Sequence, residues 1–385
     1  MEAATPVPQQ ASPAKLWACA GVFALLLAIG PTSLGWLGMG SHRGLAPAPE
    51  PTWKTVTEGQ YAEELSEWLR ESSRLTLAMR TWFLQAEWAL GVFDTDSAFT
   101  ETPGWFFAWE SYVDEDGTAH DAEMEAFWTG VAERAERLGV RVHVLIAPDK
   151  ARIYPEHAFE GGAMPPKRAR LYERAVAAIQ NAGVGAVEFL PDLLAHKQDF
   201  PGIQLYARRD THWNAAGAVL AARAVVARIR AAGAALGAPF PFQLMMQEAR
   251  QPVDLVDLVQ GFPPGSTIGD MLRERRDYLF ALMPDAGGGP ATYVPEAMGD
   301  APVAVSGDSF AAYYFALLVM SELGHEVDRR HVAPGSGPWA RLVMALDDVE
   351  RGVLKAKDLV HVFVERAIVV SDWAPAGDAV RRDVR

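Results

Sequence analysis

The sequence predicts an α/β protein in which a mostly parallel sheet is covered by helices on both faces. Short apolar runs that are typical of buried strands alternate along the chain with longer segments of helical periodicity. This alternation favours parallel strands joined by helices, because parallel strands need long crossover connections. The 385 residues, 50% of them hydrophobic, are also enough to fill a sizeable core.

Five apolar runs predict the strands of this sheet. The clearest run covers residues 140–147, where Val, Leu and Ile dominate and Gly139 precedes them. Nearly continuous apolar runs of this length indicate strands that are buried on both faces. The other four predicted strands cover residues 184–190, 301–306, 327–332 and 359–365.

Six segments with helical periodicity predict the helices. In the first, Leu65, Trp68 and Leu69 lie near the spacing of one helix face. The second ends at Gly139, which suits a left-handed cap. The predicted helices cover residues 58–90, 121–138, 165–182, 213–235, 309–323 and 341–354.

The amino-terminal residues 1–43 predict a tail and a membrane anchor. No side chain from Leu16 through Ser41 is charged, and a run of about 20 apolar residues suffices to span a bilayer. The alternative is a cleaved signal peptide, whose apolar core would be shorter. Residues 44–58 predict a Pro-rich tether, and residues 59–385 a globular domain with an irregular insertion at about 236–300, where Pro and Gly are denser.

Charge and cysteine content exclude several kinds of function. The net charge of −14 argues against binding to nucleic acid. Cys19 is the single cysteine, so the rest of the chain has neither disulfides nor a thiolate metal site. The histidines show no metal-binding spacing, and we expect neither a metal nor another cofactor.

Two short motifs carry the chemistry that the sequence predicts. In Asp210-Thr211-His212, an aspartate precedes a histidine by two residues, which gives a general base and a carboxylate that orients it. Ser309 follows an apolar strand in a Gly-Asp-Ser turn, and we expect it at the start of a helix, where backbone N–H groups can stabilise an oxyanion. The alternatives are structural, with Ser309 or Asp308 as a helix cap and His212 as an ordinary loop histidine. Together the motifs favour a nucleophilic serine with its base.

The chain resembles the SGNH-hydrolase-like O-acetyltransferases that modify exopolysaccharides, in particular the alginate O-acetyltransferase group of AlgJ and AlgX. In that group, too, the Asp-x-His loop precedes the serine. The absence of a further domain after Arg366 leads us to expect the membrane-anchored AlgJ type. The segments that carry the resemblance are Pro103-Gly104-Trp105-Phe106-Phe107, residues 146–156, Asp210-Thr211-His212-Trp213-Asn214, Gly307-Asp308-Ser309-Phe310 and Val364-Glu365-Arg366.

The resemblance implies an SGNH-like acetyltransferase domain with Ser309 as nucleophile, His212 as base and Asp210 as its orienting carboxylate. It also implies a polysaccharide acceptor, a membrane-bound O-acyltransferase that supplies acetyl groups, and a location at the periplasmic face of the inner membrane, or in the periplasm if the anchor is cleaved. Two other functions stay open, a secreted carbohydrate acetylesterase with the same three residues and a non-catalytic polymer-binding scaffold.

Four further residues are predicted to bind substrate. Lys150 and Arg152 directly follow a strand and can face the cleft, where they would bind a uronate carboxylate or an acyl oxygen. Arg366 follows the last strand in the same way. For these three, ion pairing with Glu156 or another structural carboxylate is the alternative. Tyr313 can line the pocket one turn after Ser309, or pack in the core.

Overall fold

The described part of the chain lacks most of the amino-terminal region. The computed structural model describes residues 52, 54–55, 60–61, 63–64, 98–99, 102, 104–108, 120–234, 236, 243–251, 274–283, 291–293, 299–312, 315–332, 337–370, 373 and 380. Residues 1–86 and 87–385 form two units, and the elements below belong to the second. The predicted anchor, and nearly all of the predicted tether and first helix, lie outside the described residues. None of the helices in the described ranges has both the length and the hydropathy needed to cross a bilayer.

The central sheet is parallel, and its strands lie in the order β4 Gly185–Ala186, β3 Arg141–Ala147, β10 Asp358–Val364, β8 Val303–Gly307 and β9 Val327–Val332. Its register brings the carboxyl ends of the three middle strands to one edge, since Val364 of β10 pairs with Ala147 of β3 and Val362 pairs with Gly307 of β8. The strands of the described residues are β1 Ala98–Phe99, β2 Phe107–Ala108, β3 Arg141–Ala147, β4 Gly185–Ala186, β5 Gln243–Gln251, β6 Glu274–Met283, β7 Ala291–Tyr293, β8 Val303–Gly307, β9 Val327–Val332 and β10 Asp358–Val364.

Burial explains why the apolar runs form this sheet. All residues of β8 and β10 are buried, as expected for parallel strands covered on both faces. The parallel sheet and the strands over residues 140–147, 327–332 and 359–365 are confirmed to within one residue. The strand predicted over 184–190 is only the two residues of β4, because a helix with a proline in its first turn begins at Leu190.

The helices flank this sheet in two groups. Helices α1 (Asp121–Leu138) and α9 (Pro338–Glu350) pack on each other, while α7 (Ala215–Ala231) packs on α8 (Phe315–Leu323). Gly139 caps α1 with φ of 65°, as predicted. The helices are α1 Asp121–Leu138, α2 Lys150–Ile153, α3 Pro155–Ala158, α4 Pro166–Ala169, α5 Leu171–Asn181, α6 Leu190–Asp199, α7 Ala215–Ala231, α8 Phe315–Leu323, α9 Pro338–Glu350 and α10 Ala367–Val370.

An aromatic cluster joins α1 and α9 to the sheet. Trp339 of α9 lies 3.7 Å from Trp373 and 4.6 Å from Phe363 of β10, measured between ring centroids. Trp128 of α1 contacts the same rings, and all four side chains are almost completely buried. Burial of such large rings is a main source of stability on this face.

Two predictions are wrong, one about the start of a helix and one about the insertion. The helix predicted over residues 309–323 begins at Phe315, and residues 309–312 form a turn. The segment predicted as an irregular insertion at 236–300 contains an antiparallel sheet with order β5-β6-β7. Its long strands pair across more than twenty intervening residues, and local periodicity does not reveal such pairing.

Candidate active site

The loop that carries His212 is closed at its base by backbone pairing. Tyr206 and Trp213 form an antiparallel bridge, and the Ala207 N–H donates to the His212 carbonyl at 3.2 Å. The Asn214 side chain then caps α7 by accepting from two of its first N–H groups, at 3.1 and 3.3 Å. The loop therefore runs directly into a capped helix that fixes its end.

Asp210 and His212 form a buried hydrogen-bonded pair. Oδ1 of Asp210 accepts from Nδ1 of His212 at 2.7 Å and from the His212 backbone N–H at 2.8 Å. The two residues are 1% and 5% exposed. Because an ionised carboxylate only accepts, Nδ1 carries the proton and Nε2 is the basic nitrogen of the ring.

Lys150 binds the backbone of the same loop through its ammonium group. Its ammonium group donates to the carbonyl oxygens of Ala207, Arg208 and Asp210, at 3.1, 3.0 and 2.8 Å. Lys150 is 3% exposed, and its Nζ also lies 4.9 Å from the centre of the Phe107 ring. The buried cation is satisfied by these carbonyls and orders the backbone beside Asp210.

The turn that carries Ser309 is attached to the central strand. The Asp308 N–H donates to the Val362 carbonyl at 3.0 Å. The Asp308 carboxylate accepts from the N–H of Phe310 at 2.8 Å and from the N–H of Val364 at 2.7 Å. These bonds hold Ser309, which is partly exposed, at the carboxyl edge of the sheet in a turn and not in a helix.

Phe310 brings the serine turn and the histidine loop together. Its ring centroid lies 4.8 Å from that of His212 and 5.0 Å from that of Trp213. Phe310 is 1% exposed, so this contact is part of the core. The residue directly after Ser309 thus packs against the imidazole of a loop that lies almost a hundred residues earlier in the chain.

The pKa of the Asp308 carboxyl group depends on its burial and on the groups that surround this turn. Burial raises the pKa of its carboxyl group above the ordinary value, because the charged form loses hydration. The N–H donors of Val364 and Phe310 and the charges of Arg366 and His212 act in the opposite direction. A charge on His212 therefore stabilises the ionised carboxylate of the serine turn.

The predicted substrate-binding residues have structural partners. Arg152 donates to both oxygens of Glu365, at 2.8 and 2.5 Å, whereas Glu156 is bonded by Lys197. The Arg366 guanidinium donates to Asp149 at 3.2 Å and lies 5.8 Å from the Phe310 ring centre. Arg152 and Arg366 thus form ion pairs, as the structural alternative predicts, but with Glu365 and Asp149 instead of Glu156. Substrate binding by Lys150, Arg152 and Arg366 stays a prediction, and Tyr313 lies outside the described residues.

A buried charge network beside the site was not predicted. Asp149 and Arg168 are both completely buried and are joined at 2.9 Å, and the Asp149 N–H donates to Glu365 at 3.0 Å. The available signal is that a charged pair follows each of two apolar strands, Asp149-Lys150 one residue after β3 and Glu365-Arg366 immediately after β10. Parallel strand ends meet at one edge, so such pairs become neighbours when the strands are adjacent.

Two cavities lie away from the candidate site. They have volumes of 530 and 600 Å³ and share Arg228, and the first is lined by Arg141 and His143 at the amino end of β3. Neither is lined by His212 or Ser309. Within the described ranges, no three His, Cys, Asp or Glu side chains form a group that could hold a metal ion.

A comparison with known protein families shows which family the chain belongs to. The model of the family described as "SGNH hydrolase-like domain, acetyltransferase AlgX" matches residues 100–352, which is more than half of the chain. The chain belongs to this family. The match contains both motifs of the candidate site, and it confirms the resemblance that the sequence indicated.

Curated relatives of this AlgX-family chain are named "Probable alginate O-acetylase AlgJ". The relative from Pseudomonas syringae is 34% identical over 138 residues, which cover 34% of this chain and 34% of the relative. The relative from Pseudomonas fluorescens is 27% identical over 265 residues, or 65% of this chain and 62% of the relative. Both matches span less than two thirds of the relative's length.

Solved structures confirm the SGNH-hydrolase-like fold of the AlgX-family domain. The O-acetyltransferase domain of Pseudomonas putida AlgJ aligns with a TM-score of 0.58 at 20% identity, over 74% of this chain and 99% of that chain. Pseudomonas aeruginosa AlgX aligns with a TM-score of 0.53 at 17% identity, over 74% of this chain and 66% of that chain. At these identities the likeness concerns the fold.

Lys150→Met tests whether the ammonium group holds the histidine loop of this AlgX-family domain. We expect a loss of about 2 kcal/mol in the free energy of unfolding, because three carbonyls, two of them buried, lose a charged donor. From the role of general base that the sequence predicts for His212, we also expect a fall of about 10²-fold in kcat for ester hydrolysis, as small displacements of reacting groups are costly. Urea unfolding and steady-state kinetics measure both. Lys355→Met, at an exposed lysine, is the control, and equal behaviour of the two variants contradicts the role.

Gly307→Ala tests the close approach of β8 to β10 at the serine turn. Gly307 has φ of 143°, and an added Cβ would lie 1.9 Å from the Val362 carbonyl oxygen. We expect a loss of about 3 kcal/mol in the free energy of unfolding from strain and overpacking. Gly202→Ala is the matched control, since its Cβ meets nothing within 4 Å. Thermal unfolding compares the two, and a tolerated alanine at position 307 disproves the prediction.

Proposed function

We propose that this protein is an O-acetyltransferase that moves acetyl groups through Ser309 to hydroxyl groups of an exopolysaccharide. The observation that carries the proposal is the packing of Phe310 on His212, which joins a Gly-Asp-Ser turn to a histidine oriented by a buried carboxylate. Membership in the AlgX acetyltransferase family and relatives named alginate O-acetylase support an alginate-like acceptor.

The first step of the proposed reaction is acylation of the serine. The Ser309 oxygen attacks the carbonyl carbon of an acetyl ester donor, and its proton passes to Nε2 of His212. Asp210 stabilises the imidazolium that forms and keeps the ring in position. The donor's alcohol oxygen then leaves with the proton from His212, and an acetyl-serine remains.

The second step transfers the acetyl group to the acceptor. His212 removes the proton of a sugar hydroxyl as its oxygen attacks the acetyl-serine carbonyl. The new ester forms, and the Ser309 oxygen leaves with the proton from His212. No described group accepts from the backbone N–H of Ser309, which makes it a suitable donor to the negative oxygen of both tetrahedral intermediates.

We also propose where the donor comes from. Acetyl thioesters of coenzyme A are cytosolic, whereas the apolar amino-terminal segment favours a chain anchored at the periplasmic face of the inner membrane. A membrane-bound O-acyltransferase partner would then carry acetyl groups across the bilayer. The location rests on the apolar amino-terminal segment and on the resemblance, and the partner rests on the resemblance alone.

Product analysis tests the proposal. The full chain in detergent is incubated with 4-nitrophenyl acetate, with and without a mannuronate tetrasaccharide, and mass spectrometry follows the sugar and the peptide that contains Ser309. Acetylated tetrasaccharide together with an acetylated Ser309 peptide is the expected result. Release of acetate alone, with unmodified sugar, would mean an esterase. Absence of turnover and of acyl-enzyme would mean a scaffold.

A further inference from the structure

Arg208 has a fixed backbone at the rim of the histidine loop. It lies two residues before Asp210, and its side chain is exposed. Its carbonyl oxygen accepts from the Phe106 N–H at 2.9 Å and from the Lys150 ammonium at 3.0 Å. The position of Arg208 relative to the Asp210–His212 pair is therefore set by the same contacts that order the loop.

The guanidinium group of Arg208 is held by neutral partners. It lies over the ring of Trp105, 5.6 Å from the centroid, and Trp105 is stacked on His157 at 4.4 Å and 16°. With its amide oxygen turned toward Arg208, Gln204 accepts from Nε and Nη2 at 2.5 and 2.7 Å. An aromatic face and an amide thus orient the group without neutralising its charge.

The described residues place no carboxylate within ion-pair distance of Arg208. Glu156, which belongs to the same region, is bonded at 2.6 Å by Lys197. Arginines elsewhere in the fold do have carboxylate partners, namely Arg134, Arg141, Arg152, Arg168, Arg174 and Arg366. In a chain with a net charge of −14, Arg208 is exposed and oriented, and it is not needed to balance a buried carboxylate.

Two neighbouring basic groups, His157 and Lys197, differ from Arg208 in charge or in engagement. Burial lowers the pKa of His157 below its ordinary value, and the charges of Lys197 and Arg208 act in the same direction while Glu156 opposes them. His157 is therefore neutral at pH 7. Lys197 also donates to the Ile153 carbonyl at 2.6 Å, so its ammonium is engaged by the protein.

We propose that Arg208 binds a carboxylate of the acceptor and thereby selects acidic sugars; this rests on the proposed function. Gln204 takes Nε–H and one N–H of Nη2, and no described residue takes the remaining N–H groups of Nη1 and Nη2. Those groups form the end-on edge of the guanidinium, which pairs with both oxygens of a carboxylate. A uronate bound there lies beside the loop whose histidine activates the sugar hydroxyl.

Calorimetric titration of the full chain in detergent tests the selection. The probes are a mannuronate tetrasaccharide and its carboxyl-reduced, neutral counterpart, and the proteins are the wild type, Arg208→Gln and Arg223→Gln. Arg223 is the matched control, since it is exposed and pairs with Glu322. We expect Arg208→Gln to weaken binding of the acidic sugar about 10- to 100-fold, with little change for the neutral sugar.

The comparison between the two sugars decides the outcome. Equal weakening of both indicates a general structural effect and overturns the proposal, as does a wild type that binds both equally or binds neither. Binding that depends on Arg208 in a protein that transfers no acetyl group leaves this inference standing while the proposed function fails. Acetyl transfer without any preference for the acidic sugar overturns this inference and leaves the proposed function standing.

Discussion

Replacing Ser309 with alanine is expected to lower kcat for acetyl transfer and ester hydrolysis by at least about 10³-fold, because the variant has no oxygen to form the acyl-enzyme. Ser309 is partly exposed, and its side chain has no hydrogen bond to the described residues, so the fold should persist. Stopped-flow and steady-state assays with 4-nitrophenyl acetate measure the loss. Mass spectrometry should detect no acetylated enzyme.

Ser306→Ala is the matched control for Ser309→Ala. Ser306 lies three residues earlier in β8, is completely buried and is joined to Nδ1 of His361 at 3.0 Å. Its loss should reduce the free energy of unfolding by about 1–2 kcal/mol and leave most of the activity intact. If the Ser309 variant kept its acetyl chemistry, or if both variants lost it equally, Ser309 would not be the nucleophile.

Replacing Asp210 with asparagine is expected to lower kcat by about 10³-fold while the loop keeps its shape. One oxygen of Asp210 accepts both bonds from His212, and an asparagine oxygen at the same position can accept them as well. What disappears is the negative charge that stabilises the imidazolium formed in each step. The same kinetic assays measure the fall, and circular dichroism verifies the fold.

Comparison with Asp210→Ala separates charge from geometry. Alanine also removes the acceptor for the His212 backbone N–H, so this variant should lose both activity and loop stability. The asparagine variant should unfold near the wild-type temperature. Activity within tenfold of the wild type in Asp210→Asn, at an unchanged fold, would rule out Asp210 as the partner of a catalytic base.

Features of the fold that depend on local interactions are predictable from the sequence. Gly139 ends α1 as its position predicts, and the two-residue spacing of Asp210 and His212 suffices for their pairing. The start of α8 at Phe315 was missed because the Asp308 carboxylate bonds to Val364, a residue of a distant strand. Contacts of that kind depend on strand order, which neither periodicity nor composition encodes.

The candidate site likewise combines local features, which the sequence predicts, with contacts between distant segments, which it does not. The motifs identify which residue types are present, but the packing of Phe310 on His212 and the donation from Lys150 to the loop carbonyls join segments far apart in sequence. Arg152 pairs with Glu365 because β3 and β10 are neighbours in the sheet. A single sequence offers no measure of these distances.

The end of the central strand β10 is hydrogen-bonded to the segments on both of its sides, which limits how the site can be engineered. Its end bonds to the serine turn on one side through Val364, and on the other side Glu365 bonds to the Ala147 carbonyl and the Asp149 N–H. A one-residue insertion or deletion in β10 would disturb both sides together, so strand length here is not a useful variable. Residues at the rim, such as Arg208, take no part in these hydrogen bonds at the end of β10. Acceptor preference is therefore best redesigned at the rim, with the strand ends left as they are.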